Sequence, residues 1–156
     1  MAGLGRDKDR LELSFKLGAT HTIVVDEEDA RERIREITNG RMADTVIDVS
    51  GAGPEIVNGG ITLLKKRGKM LCTARKKGAV PFDFDRFNQY QIRMLGTRGH
   101  SYESVELALG LMKSRKFPLD LISTHIFGLR DVDHALRMVG GELKERSIHA
   151  TIEPWK

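Results

Sequence analysis

A chain of 156 residues, 40% hydrophobic and 31% charged, is long enough for one compact domain and too apolar for a disordered tail. Its single cysteine, Cys72, excludes an intramolecular disulfide and a Cys-rich zinc site. The net charge of +4 is not gathered into one tract, and its densest stretches, Lys65–Arg67 with Lys69 and Arg75–Lys77, carry no interleaved stacking aromatics, so no nucleic-acid partner is expected.

Arg6 to Leu17 reads as a helix with Leu11 and Phe15 on one face, stopped by Gly18. The β-branched run Thr20–Val25 follows as a strand. Glu27 to Thr38 is a second helix, with Ala30, Ile34 and Ile37 facing inward and Asn39-Gly40 ending it. Thr45–Val49 is an apolar strand closed by Ser50-Gly51-Ala52-Gly53. Pro54 fits the first turn of a helix running to about Lys66, because the donor it lacks would be unpaired there. The Lys65–Arg67 cluster would then meet the negative end of that helix dipole. Lys69–Thr73 is a third strand.

Phe82 to Gln91 reads as a loop plus a short helix, and Ile92–Gly96 as a strand. Tyr102 to Ser114 is a helix with Val105, Ala108, Leu109 and Met112 inward. Leu121 to Phe127 is extended. Leu129 to Val139 is helical, with Val132, Ala135, Leu136 and Val139 inward, and Ser147–Ile152 closes as a strand. Strands alternating with helices imply βαβ units and a parallel sheet covered by helices on both faces. No apolar run approaches the roughly 20 residues that cross a bilayer. Met1–Asp7 lacks the apolar stretch of a signal peptide, so a cytoplasmic location away from membranes is expected.

Ligands of such a sheet bind beyond the carboxyl ends of its strands, so the strand-end loops carry the functional expectation. Neither Gly51-Ala52-Gly53 nor Gly3-Leu4-Gly5 completes G-x-G-x-x-G: Ile56 and Lys8 stand where the third glycine belongs. As isolated pairs both read as turns. His21, His100, His125, His134 and His149 show no metal-ligand spacing, and no G-x-S-x-G elbow supports a serine hydrolase. Cys72, inside an apolar strand, reads as a small buried hydrophobe. Asp83 and Asp85 alternate with Phe82, Phe84 and Phe87, as solvated residues of an amphipathic stretch do. Arg75-Lys76-Lys77 follows the third strand directly and Arg98 follows the fourth. Cations there suit an anionic ligand or a solvated loop equally well.

The order of segments resembles the nucleotide-binding portion of the zinc-type medium-chain alcohol and polyol dehydrogenases. The residues that carry the resemblance are Arg6–Leu13, Lys16–Ile23, Thr38–Gly51, Leu64–Thr73 with Gly68-Lys69-Met70, Ile92–Thr97, and Ile126–Leu129 through Arg137 to Ser147–Ile152. The resemblance implies an incomplete Rossmann-like parallel sheet that lacks the first strand and its Gly-rich turn. It implies a truncated dinucleotide-binding domain over residues 1–120 and a return segment over 121–156 packing on it as a single compact unit.

The activity it implies is hydride transfer between an alcohol or polyol and NAD or NADP. Val49, Ser50 and Gly51 would line the nicotinamide side, Thr73 and Ala74 would approach it, and Arg98 would border it. Arg6 and Arg10 would lie by the adenosine ribose, and His149 would meet the pyrophosphate. Gly5 followed by Arg6, with no acidic residue for the ribose hydroxyls, leans toward NADP. Ala74 replaces a usual glycine, and His149 a permanently charged residue.

The zinc of the intact family is expected not to bind here, because the catalytic domain that carries its ligands is outside the resemblance. No catalytic residue is therefore assigned, and the chain alone is expected to be inactive. An alternative is a non-enzymatic remnant that self-associates or binds a nucleotide. The missing strand would leave two unpaired edges, which implies a homo-oligomer or a missing N-terminal catalytic half as partner.

Overall fold

The computed structural model describes residues 1–51 and 53–156; Ala52, within the expected Ser50–Gly53 turn, lies outside the described residues. In chain order the elements are β1 (Ala2–Gly5), α1 (Lys8–Lys16), β2 (His21–Val24), α2 (Ala30–Ile37), β3 (Ala43–Asp48), α3 (Glu55–Thr62) and β4 (Leu64–Cys72). There follow α4 (Phe84–Gln89), β5 (Arg93–Gly96), α5 (Tyr102–Lys113), β6 (His125–Gly128), α6 (Val132–Val139) and β7 (Ala150–Glu153). Every strand pairing is parallel, as the alternation implies: β1 with β2, β4 between β3 and β5, and β6 with β7. Among the described residues β1 pairs only with β2 and β3 only with β4, so each keeps a free edge. The chain divides into two compact units, Met1–Val24 with Tyr102–Lys156, and Val25–Ser101.

In the first unit, Asp7 starts α1 by accepting hydrogen bonds from Asp9 N and Arg10 N at 3.0 and 3.1 Å. Gly18 ends that turn at φ +105°, a conformation that favours glycine. The helix lies close on β1: a Cβ added at Gly3 would meet Ser14 Oγ at 2.7 Å. Leu11 is buried there as expected, whereas Phe15 is exposed.

Further expectations in this unit change. Leu121 and Ile122 belong to a 3-10 turn, Leu119–Ile122, nucleated at Pro118, whose carbonyl accepts from Leu121 N at 3.1 Å. The face of α6 is Ala135 and Met138, while Leu136 and Val139 are exposed. The preceding Leu129–Asp131 form a 3-10 turn, whose three-residue period shifts the phase that one continuous helix would carry. In α5 the apolar stripe exists, but among the described residues none of its members is buried.

The second unit is built on the three-stranded sheet. Val57 and Ile61 of α3, Leu64 and Met70 of β4, and Ile92 form its buried core, with Val46, Phe82 and Phe87 packed against it. Met70 sits at the centre, paired with Val46 on one side and Met94 on the other. It lies close under α3: a Cβ at Gly60 would meet Met70 Cε at 2.8 Å.

The helix expected to reach Lys66 instead ends at Thr62. Leu64 is fully buried and pairs with Ala43, and the register then jumps to Thr45 against Lys69. Lys65–Gly68 therefore loop out of β4, with Arg67 at φ +63°. Burial of Leu64 outweighs continuation of a helix already weakened by Gly59 and Gly60. The basic cluster does not meet a helix dipole: Lys65 pairs with Asp44, and Arg67 Nε donates to Gln91 Oε1 at 2.9 Å.

That helix end is closed from α4, where Arg86 Nη2 donates to Thr62 O at 3.2 Å. Asp83 caps α4 through Arg86 N at 2.9 Å, and Asp85 accepts from Gln89 Nε2 at 3.0 Å. Both carboxylates serve local structure.

Candidate functional site

The carboxyl ends of β3, β4 and β5 lie side by side in the second unit and are joined beyond their ladders. Thr73 N and Thr73 Oγ1 both donate to Asp48 O at 3.0 Å. Thr97 N donates to Cys72 O at 3.1 Å. These bonds fix the loops that leave the three strands relative to one another.

Among the described residues Asp48 is the one buried charged residue, 4% exposed. A carboxylate so placed must be compensated. Ser50 supplies two donors to Oδ1, its N at 3.0 Å and its Oγ at 2.8 Å. Lys76 Nζ stands 2.8 Å from Oδ2 as an ion pair and also donates to Ser50 O at 2.8 Å. Burial pushes the Asp48 carboxyl up, but the Lys76 ammonium and the Ser50 donors prevail and hold it below the ordinary carboxylate range. Burial first, and then the Asp48 charge, push the Cys72 thiol up, against a smaller pull from Lys76. Cys72 is half-buried and lines the adjacent cleft, so it is more open than the buried hydrophobe expected from its strand.

Beside this pair opens a shallow cleft of about 280 Å³, lined by Cys72, Thr73, Ala74, Arg75 and Gly96–Arg98. Of the residues the resemblance assigns to the cofactor, Thr73, Ala74 and Arg98 line it, together with Arg75 of the basic run noted at this strand end. Val49, Ser50 and Gly51 follow the neighbouring β3; Val49 is 75% exposed, and nothing lies within 4 Å of a Cβ built on Gly51. Arg6, Arg10 and His149 belong to the other unit. There Arg10 Nη2 donates to Ser147 O at 3.2 Å, and Arg10 Nε lies 3.9 Å from Asp7 Oδ2. Arg6 also has an interaction within the chain. His149 precedes β7 instead of lying in it, and its carbonyl accepts from Thr124 N and His125 N at 3.1 and 3.3 Å.

Sequence reasoning missed the inward turn of Lys76. The signal was present: an aspartate ends the apolar run Thr45-Val46-Ile47, and the nearest basic run begins three residues beyond Cys72, at Arg75. A metal fits poorly. Among the described residues no group of three or more His, Cys, Asp or Glu stands together, and the Cys72 thiol is pushed away from the ionised form that metals bind.

A parallel α/β chain with its polar site on the carboxyl edge of the strands has the doubly wound architecture in which ligands bind beyond the strand ends. The family model described as zinc-binding dehydrogenase matches residues 2–114. The chain belongs to that family. It is 29% identical over 140 residues to a sorbitol dehydrogenase from Halalkalibacterium halodurans, covering 89% of this chain and 40% of that protein. It is 30% identical over 147 residues to a D-arabitol-phosphate dehydrogenase from Enterococcus avium, covering 92% and 42%. Among solved structures, an alcohol dehydrogenase from Thermotoga maritima superposes with TM-score 0.89 at 19% identity, covering 98% of this chain and 42% of that one. Benzyl alcohol dehydrogenase from Acinetobacter calcoaceticus superposes with TM-score 0.84 at 23% identity, covering 98% and 42%. The chain spans about 40% of the length of the curated relatives it matches, and the likenesses in structure extend the Rossmann-like fold to nearly all of it.

Proposed function

We propose that this chain is the cofactor-bearing portion of an NAD(P)-dependent zinc-type alcohol or polyol dehydrogenase. The observation that carries the reading is the family match over residues 2–114, which spans the joined ends of β3, β4 and β5. NAD(P), when bound, accepts the hydride. Val49–Gly51, Thr73, Ala74 and Arg98 form the wall against its nicotinamide end. Gly51 and Gly96 both face open space where a Cβ would stand, so backbone can approach a flat ring there. Arg6, Arg10 and His149 serve the adenosine and pyrophosphate end, with Arg6 favouring NADP.

Zinc chemistry belongs to residues beyond this chain, because its own donor set does not fit the metal. The 156-residue chain alone therefore binds cofactor weakly and turns over no alcohol. The free edges of β1 and β3 support a partner that pairs with them, either a second copy or the catalytic half, since unpaired strand edges attract strands. The setting is cytoplasmic, away from membranes and nucleic acids; among the described residues no helix is long and apolar enough to cross a membrane.

The test is an assay of the purified chain with NAD, NADP, zinc and a panel of alcohols and sugar alcohols, alongside NADH and NADPH fluorescence titrations and light scattering. Nucleotide binding without turnover, at a mass above the monomer, is expected. Zinc-dependent turnover by the chain alone refutes the assignment of zinc chemistry elsewhere. Absence of any NAD(P)H binding refutes the cofactor role.

A further inference from the structure

We infer that the cleft at the ends of β4 and β5 is an oxyanion subsite, built to receive the phosphate or carboxylate of a small hydroxylated ligand. The inference deepens the functional reading above and rests on it for the ligand's polyol character, but the charge argument stands on the cleft alone.

The basic run Arg75-Lys76-Lys77 divides in space. Lys76 turns inward and is consumed by Asp48 and Ser50, at 2.8 Å each. The carboxylate nearest this edge is thereby neutralised. Arg75 and Arg98 line the cleft from two different loops, and both are exposed. Among the described residues neither guanidinium forms an ion pair, and Lys77 beside Arg75 forms none either. No carboxylate lines the cleft, whose remaining side chains are Cys72, Thr73, Ala74 and Thr97.

Two arginines lining one recess are poorly used by a neutral alcohol. They suit a group with several acceptor oxygens, because each can donate in a planar fork. The Thr97 hydroxyl, without a hydrogen-bond partner among the described residues, adds a neutral donor. The loops are held where such a ligand needs them: Thr97 N is tied to Cys72 O and Thr73 to Asp48 O. Glycines at φ +77° and +74°, Gly78 and Gly99, turn the chain just beyond each cationic segment. A volume of about 280 Å³ accommodates a phosphate or carboxylate with a short carbon chain, and of a dinucleotide it admits no more than one end.

The experiment titrates the isotope-labelled full chain by NMR with sorbitol 6-phosphate, gluconate, sorbitol and inorganic phosphate, at physiological ionic strength so that distant charges are screened. The same titrations use Arg75→Gln/Arg98→Gln and, as a matched loss of two charges, Arg130→Gln/Lys144→Gln. The inference expects shifts centred on Ala74–Arg75 and Thr97–Arg98 with the phosphate ester or with gluconate, whichever oxyanion the site takes. It expects affinity at least about tenfold weaker in the cleft variant and unchanged in the control, with competition from inorganic phosphate.

Equal affinity for sorbitol and its phosphate, shifts spread over other basic surface, or equal losses in both double variants overturn the inference. NADH fluorescence on the same samples separates the two levels of the argument. Retained NADH binding without oxyanion binding removes the subsite alone, and oxyanion binding without NADH binding removes the cofactor reading alone.

Discussion

Replacing Lys76 by methionine keeps most of its length and apolar stem while removing the cation from a nearly closed site. The Asp48 and Lys76 side chains are 2% and 9% exposed, and 2.8 Å separates their charges. At an effective dielectric near 20 that separation corresponds to about 6 kcal/mol of attraction, most of it offset by desolvation. What the variant suffers is the uncompensated carboxylate, about 3–4 kcal/mol, including the lost bond to Ser50 O.

The sign with pH follows from the depressed Asp48 carboxyl. The pair's contribution is complete above the ordinary aspartate value, about 4, and is lost as pH falls through the lower folded value. In Lys76→Met the carboxyl rises instead, so the variant regains ground as it protonates, and its deficit is largest near neutrality. The assay is urea unfolding at pH 7 and pH 4, with hydrogen exchange at Ser50 N and Thr73 N reporting this edge directly. Asp48→Asn/Lys76→Met should be more stable than Lys76→Met at pH 7, because it no longer buries a charge. A loss below about 1 kcal/mol, or a double variant weaker than the single one, refutes the argument.

Adjacent glycines in α3 should respond oppositely to alanine. Gly59 is exposed with nothing within 4 Å of a Cβ, so Gly59→Ala should stabilise by about 0.5–1 kcal/mol in urea unfolding through helix propensity alone. At Gly60 the new Cβ would meet Met70 Cε at 2.8 Å and Sδ at 3.3 Å; an overpacking cost of about 1–3 kcal/mol outweighs the same gain, for a net loss on the same measurement. Asp29 caps α2 by accepting from Arg31 N and Glu32 N at 2.8 and 2.9 Å; Asp29→Ala should cost about 1 kcal/mol of thermal or urea stability.

How much the chain's letters disclose depends on whether the deciding interaction is local. Of the helix expected over Glu27–Thr38, the end was legible, because Ile34 faces inward and Asn39-Gly40 adopt φ +51° and +81° just past it, but the start was not: the helix begins at Ala30, where Asp29 caps it. The end of α3 was not, since it turns on Leu64 finding Ala43 across the sheet, a pairing 21 positions apart. Periodicity marked the apolar stripes of α5 and α6 but not their surroundings: Leu109 and Met112 are exposed, and a short 3-10 turn rephased α6. At the site, the strand-end positions were readable from βαβ logic. The partition of Arg75, Lys76 and Lys77 was not, because alternation after a strand end has no fixed period.

The buried aspartate links the stability of this edge to its electrostatics. Asp48 O holds Thr73, Asp48 Oδ1 holds Ser50, and Asp48 Oδ2 holds Lys76, so a single residue ties the loops after β3 and β4 together. Its charge also reaches the cleft wall, where it raises the Cys72 thiol against the pull of Lys76. Were Asp48 unpaired, that negative charge would oppose any oxyanion approaching Arg75 and Arg98. The ion pair thus does two things at once: it closes the strand ends into a fixed frame and leaves the arginines as the uncompensated charges of the cleft. A frame that was rigid but negative would repel such a ligand, and one that was positive but loose would lose affinity to the entropy of ordering its loops. Placing the compensating cation on Lys76, within the same basic run, satisfies both requirements with adjacent residues.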